Sequence, residues 1–177
     1  EIINKENLES EKIIVASNHQ SAWETFFLYV LFRNPIFILK KELKKIPIMS
    51  DYFKKLGFIF VDRKSGLKSL RDILRNINEN KIDKKRPIII FPEGTRVKPG
   101  SENELASGIF ILYKYLNLRI LPIAHNSGKF WYNNRMKKKG GTIKVKLFPL
   151  IKKGHNKTYV MEKLNKCFKT KLWFVSV

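Results

Sequence analysis

At 177 residues, with 44% hydrophobic and 29% charged content, the chain has the length and composition of one globular domain with a real core. Lys and Arg number 36 against 15 Asp and Glu, a formal charge of +21 that implies an anionic partner: nucleic acid, a phospholipid surface or a phosphorylated substrate. The lone Cys167 excludes a disulfide framework or a cysteine metal cluster, the histidines at 19, 125 and 155 lack zinc-like spacing, and no apolar run reaches the roughly 18 residues of a membrane-crossing helix.

The first strand is expected at Ile13-Ile14-Val15-Ala16, an apolar run bounded by polar residues. Ser21 then reads as the N-cap of a helix over 21 to 33, on which Trp23, Phe26, Phe27, Val30 and Leu31 recur at helical intervals as core residues and which Asn34-Pro35 ends. Ile36 to Leu39 is a second strand. Lys40 to Lys45 and a helix from Pro47 through Leu56 follow, mixing cations with Ile46, Ile48, Met49, Tyr52, Phe53 and Leu56; a solvated face is favoured there over membrane contact. Gly57 to Val61 is the third strand, residues 65 to 80 an amphipathic helix, and Pro87 to Phe91 the clearest central strand. Residues 104 to 116 are helical in pattern, 119 to 123 and 142 to 148 strands, 130 to 141 a loop, and 157 to 168 a last helix.

Strands alternating with helices predict an α/β fold, a largely parallel or mixed central sheet flanked by helices. In such sheets ligands meet the loops that leave the carboxyl ends of strands, here beginning at Ser17, Lys40, Asp62, Pro92 and His125. Asn18-His19-Gln20-Ser21-Ala22-Trp23-Glu24 occupies the first of these, with an imidazole and a carboxylate five positions apart. On one continuous helix those side chains would point about 140° apart. With His19 on the turn and Glu24 in the first helical turn they meet, and the carboxylate fixes the ring tautomer of a general base. The same residues also spell a capping box, Ser21 to Glu24, in which Glu24 serves only the backbone of Ser21.

Pro92-Glu93-Gly94-Thr95-Arg96 offers a glycine turn, a hydroxyl and a guanidinium, which suits a phosphate and equally an ordinary turn. Arg63 and Lys40, at other strand ends, are further phosphate ligands or surface charges. No G-x-S-x-G elbow, Walker loop, G-x-G-x-x-G or H-E-x-x-H is present. A base without a protein nucleophile fits direct transfer of an activated group to a hydroxyl.

Taken together, NHQSAWE, KKELKKIP with GFIFVDR, FPEGTR and LPIAHNSG resemble, over about residues 12 to 128, the four ordered motifs of the glycerolipid acyltransferases, in particular the bacterial 1-acyl-sn-glycerol-3-phosphate acyltransferases. The resemblance implies that His19 is the general base and Glu24 its partner, that Arg63, Glu93, Gly94, Thr95 and Arg96 belong to the site of the acceptor's phosphate, and that Pro122 lies on the acyl-donor side or is structural. Lys40 is placed, by position alone, on that phosphate or on the thioester oxyanion. Glu24 stands where the family usually has Asp. No cofactor is implied beyond acyl-CoA or acyl carrier protein as co-substrate. The implied partners are a lysophospholipid and an anionic membrane surface, at the cytoplasmic face of the inner or cell membrane. The expectation is a single acyltransferase domain over 1–177, opening on Glu1 rather than Met and lacking an N-terminal attachment segment. The rivals are another acceptor, such as glycerol 3-phosphate or a different lysophospholipid, and a basic nucleic-acid-binding module in which Trp131-Tyr132 stand beside Lys137-Lys138-Lys139.

Overall fold

The computed structural model describes residues 1–8, 12–62, 71, 73–75, 77, 86–101, 103–132 and 138–169. Seven strands form one sheet: β1 (Ile2–Ile3), β2 (Ile14–Ser17), β3 (Ile36–Lys40), β4 (Ile59–Val61), β5 (Ile88–Ile90), β6 (Ile120–His125) and β7 (Val145–Leu147), in the spatial order β1-β7-β6-β2-β5-β3-β4. The five strands from β6 to β4 run parallel, whereas β7 pairs antiparallel to β6 and carries the short β1 parallel to itself. The helices are α1 (Trp23–Leu31), α2 (Met49–Lys55), α3 (Gly108–Leu116), α4 (Ser127–Phe130) and α5 (Lys157–Lys169), with a 3-10 turn at Lys41–Lys45. The expected α/β architecture is therefore the observed one.

Central parallel strands have both faces covered, which is why their sequences read as unbroken apolar runs. Alternate residues divide between two cores. Ile14, Ala16, Ile36, Ile88 and Ile120 face α3 and α5, and Ile73, Leu74 and Ile77 join them, while Val15, Phe37, Ile89, Leu121 and Ile123 face α1 and α2. Those three buried residues belong to the expected helix over 65 to 80, most of which lies outside the described residues.

Three expectations are corrected. Helix α1 starts at Trp23 with Ala22 at the cap position, and the aromatic stripe is core only in part: Trp23, Phe27 and Leu31 pack against the core half-buried, Phe26 and Val30 point outwards, and the buried row is Glu24, Leu28 and Phe32 at four-residue intervals. Helix α3 begins at Gly108 rather than 104, because the amide of Ala106 donates to the Pro92 carbonyl at 2.8 Å and keeps the preceding residues in the loop that returns from β5. Strand β7 is shorter than its alternating pattern, because the Lys144 amide is drawn off the ladder to Asn126 Oδ1 at 2.8 Å.

Candidate active site

The ends of β2 and β6 are tied together one residue beyond their ladder. Asn18 Nδ2 donates to the His125 carbonyl at 3.0 Å and the His125 amide returns a bond to Asn18 Oδ1 at 2.9 Å, so a side-chain amide continues the pattern of the sheet. The His125 ring lies 2.8 Å from the Asn18 carbonyl through Nε2; a carbonyl only accepts, so Nε2 carries the proton. These three bonds fix the point from which His19 leaves the sheet. Its ring stacks on Phe91, centroid to centroid 4.3 Å, and is 18% exposed.

Glu24 is fully buried and acts as the hub. Its Oε1 lies 2.8 Å from His19 Nδ1 and accepts the amides of Gln20 and Ser21, both at 2.8 Å; its Oε2 accepts the hydroxyls of Ser21 at 2.5 Å and Ser127 at 2.9 Å. The capping-box contact and the histidine contact, which the sequence presents as alternatives, are made by one carboxylate at once. Since Oε1 accepts from Nδ1–H, the Nε2 lone pair of His19 is left to take a proton. Among the described residues, Ser127, Asn18, Gln20 and His125 are the supporting groups that the motifs did not single out. The row of buried α1 positions is what carries Glu24 inwards.

Burial alone would raise the Glu24 pKa, but the His19 hydrogen bond, the charge of His125 when protonated and the hydrogen bonds from Ser21 outweigh it and hold the carboxyl down at about 2. Burial lowers the pKa of His125 below its ordinary value, against the pull of Glu24 and of the Asn18 carbonyl. At neutral pH it is therefore uncharged, and the hydrogen bonds are what keep Glu24 ionised.

The loop after β5 grips His19 from the other side. The amide of His19 donates to Glu93 Oε2 at 2.6 Å, and its carbonyl accepts the Val97 amide at 2.8 Å. A turn closed by the Gly94 amide on the Phe91 carbonyl at 3.0 Å sets this up, with Pro92 at its second position and Gly94 beyond it at φ 72°. Gly128 marks the tightest approach behind it: a Cβ there would stand 2.7 Å from Pro99 and 2.9 Å from Gln20, whose Oε1 accepts the Gly128 amide at 3.0 Å.

Burial pushes the Glu93 carboxyl up to about 7, with the His19 amide opposing and the nearby Glu24 charge adding to the rise. The folded state thus binds this proton more tightly than the unfolded chain. Its contribution to stability is complete below about 4.5 and is lost as pH rises through about 7, worth about 3 kcal/mol in all. Glu93→Gln keeps an oxygen for the His19 amide and cannot ionise. It is expected to melt several degrees above the native chain at pH 8 and level with it at pH 5; an equal difference at both pH values would refute the assignment.

Gly94, Thr95 and Arg96 lie on this loop, Thr95 exposed and Arg96 half-buried one residue before the Val97 contact with His19. Glu93, grouped with the phosphate ligands in the sequence, directs its carboxylate at the His19 backbone. Lys40 ends β3 at the same edge of the sheet, exposed and two strand spacings from β2, roughly 10 Å. Arg63 lies outside the described residues. Pro122 sits inside β6 opposite Ala16. No cluster of His, Cys, Asp and Glu that could hold a metal is found among the described residues. The arrangement is a histidine with an ionised carboxylate behind it and a guanidinium loop beside it, which can deprotonate a hydroxyl on an anionic molecule.

Residues 1–126 match the family model described as Acyltransferase. A 1-acyl-sn-glycerol-3-phosphate acyltransferase of Pseudomonas aeruginosa is 34% identical over 151 residues, covering 85% of this chain and 58% of that protein. One of Borreliella burgdorferi is 28% identical over 153 residues, covering 85% and 60%. The chain thus spans under two thirds of the length of these relatives. The crystal structure of the 1-acyl-sn-glycerophosphate acyltransferase PlsC of Thermotoga maritima superposes with a TM-score of 0.77 over 99% of this chain and 73% of that one, at 22% identity, and so shares its fold. With a family model covering well over half of its length, the chain belongs to the acyltransferase family.

Proposed function

We propose that the protein transfers an acyl group from acyl-CoA or acyl carrier protein to the sn-2 hydroxyl of 1-acyl-glycerol 3-phosphate, giving phosphatidic acid, and that residues 1–177 form a single acyltransferase domain. The observation that carries this reading is the 2.8 Å contact between His19 Nδ1 and buried Glu24, which leaves Nε2 as the base. The names of the relatives supply the acceptor. His19 Nε2 takes the hydroxyl proton as the oxygen attacks the thioester carbonyl; the carbon–sulfur bond breaks, and the proton passes to the departing thiolate. Glu24 stabilises the imidazolium between these steps. A neutral pocket would have no such counter-charge to offer.

General-base help contributes about 10²–10⁴ in rate, so holding the acceptor must supply much of the remainder. Arg96, beside the His19 peptide, is the clamp on the acceptor's phosphate, with Thr95 and the Gly94 backbone; Arg63 and Lys40 are assigned to the same phosphate, Lys40 also to the thioester oxyanion. Arg96→Ala is expected to raise the acceptor KM roughly 10- to 100-fold, the worth of a charge-assisted pair, with a smaller change in kcat. A loss confined to kcat would remove Arg96 from the phosphate.

The decisive assay incubates the protein with lysophosphatidic acid and labelled acyl-CoA or acyl carrier protein and looks for phosphatidic acid. Glycerol 3-phosphate and other lysophospholipids in parallel identify the acceptor. Among the described residues no helix is long and apolar enough to cross a membrane. The reading places the protein at the cytoplasmic face of the membrane that holds its acceptor.

A further inference from the structure

The segment that follows β3 packs Phe53 and Leu56 against the core but keeps several other large apolar side chains out of it. Ile48 is 88% exposed and Tyr52 62%, with Ile46 and Met49 also exposed; on α1, Phe26 is 67% and Val30 75% exposed. The two helices share one side of the sheet, since the rings of Tyr29 on α1 and Phe53 on α2 both meet Phe58, at 6.2 and 5.5 Å. A backbone feature sharpens the point. Ile48 sits at φ 63°, ψ −54°, with the Met49 amide on the Pro47 carbonyl at 2.6 Å, a γ-turn of the strained kind. A β-branched residue is a genuine outlier there, and nothing buried repays it. Around this apolar face, residues 40 to 55 carry six lysines against Glu42 and Asp51.

We infer that the face formed by residues 46–52 with Phe26 and Val30 is a docking surface for an anionic lipid bilayer, the apolar side chains entering the interface while the lysines meet the headgroups. Charge selects this occupant, because an apolar face ringed by cations matches a negatively charged surface. Place supports it. The segment leaves the carboxyl end of β3, the same end at which His19 and the loop after β5 stand, so a docked face would bring the site to the lipid. The inference rests on the proposed function only in that its acceptor is a lipid carried by a bilayer.

Flotation of the chain with vesicles of phosphatidylcholine, alone or with about one third phosphatidylglycerol, tests it directly. The native chain is expected to float with the anionic vesicles. Lys45→Ser with Lys55→Ser should weaken that binding roughly 25-fold, each charge near the surface counting about five-fold. Ile48→Gly should weaken it while melting no lower than the native chain, since glycine accepts the positive φ and no buried contact is lost. Tyr115→Ser, which removes an exposed ring from α3 across the sheet, should change nothing. Unaltered flotation of the Lys and Ile48 variants would overturn the inference. So would a native chain that ignores vesicles and forms a dimer dissolved by Ile48→Asp, since the face would then belong to a second copy. None of these readings requires acyl transfer, so vesicle binding without phosphatidic acid would sink the activity and leave the surface standing.

Discussion

His19→Ala is expected to lower the single-turnover rate of acyl transfer by about 10²–10⁴, the range a positioned general base contributes, while acceptor binding changes little. Among the described residues of the site, the ring is the group with a nitrogen that the surrounding hydrogen bonds leave to accept a proton, its other nitrogen being committed to Glu24. Removing it takes away the proton acceptor and leaves the loop after β5 in place, because the hydrogen bonds that hold that loop run to the backbone of residue 19. His19→Gln sharpens the test. Its amide can still donate to Glu24 and fill the space over Phe91, yet it cannot act as a base. Loss of transfer in both variants with near-native melting of the Gln form would assign the effect to proton transfer; native-like turnover in either would remove His19 from the chemistry.

How far the sequence reached depends on the range over which each feature is encoded. The strands at Ile14, Ile36, Ile88 and Ile120 and the His19–Glu24 pair are written locally, in apolar runs and in a five-position step across a turn, and they were legible. The third tier of the site was not: Ser127 reaches Glu24 across 103 residues and Asn18 meets His125 across 107, and no periodicity reports such pairings. Helix α1 misled for a different reason. An apolar pattern passes over a buried carboxylate, so it places Phe26 and Val30 in the core, whereas the buried row begins with Glu24. The face after β3 is legible only in part. Its lysines read as a solvated surface, and only the exposed Ile48 and its strained turn show that apolar side chains are held out among them.

Glu24→Ala is expected to be the most destabilising single change in the site and to lower transfer as well. It strips the acceptor from the amides of Gln20 and Ser21 and from the hydroxyls of Ser21 and Ser127. A buried donor left unpaired costs about 1–3 kcal/mol, and the two hydroxyls can still bond each other at 2.9 Å, so a total of about 3–5 kcal/mol follows. In a chain of this size that is a fall in melting temperature of roughly 10–15 °C. Glu24→Gln separates the two duties of the residue. Its oxygen can serve His19 and the amides while its NH2 donates to the serine hydroxyls, so it should approach the native chain as pH falls towards 2 and melt below it at neutral pH by the share the charge contributes, still less than the Ala form, while losing about 10² or more in rate for want of a charge beside the imidazolium. The acid limb gives an independent reading. The folded pKa of about 2 lies below the unfolded 4.5, so the stability Glu24 contributes is complete above pH 4.5 and is lost as pH falls towards 2. Glu24→Gln should flatten that limb and, by removing a charge that adds to the rise at Glu93, move the alkaline fall slightly to lower pH. Equal melting losses for the Ala and Gln forms would show that the charge itself holds the loop, and the division between a structural and a catalytic duty would fail.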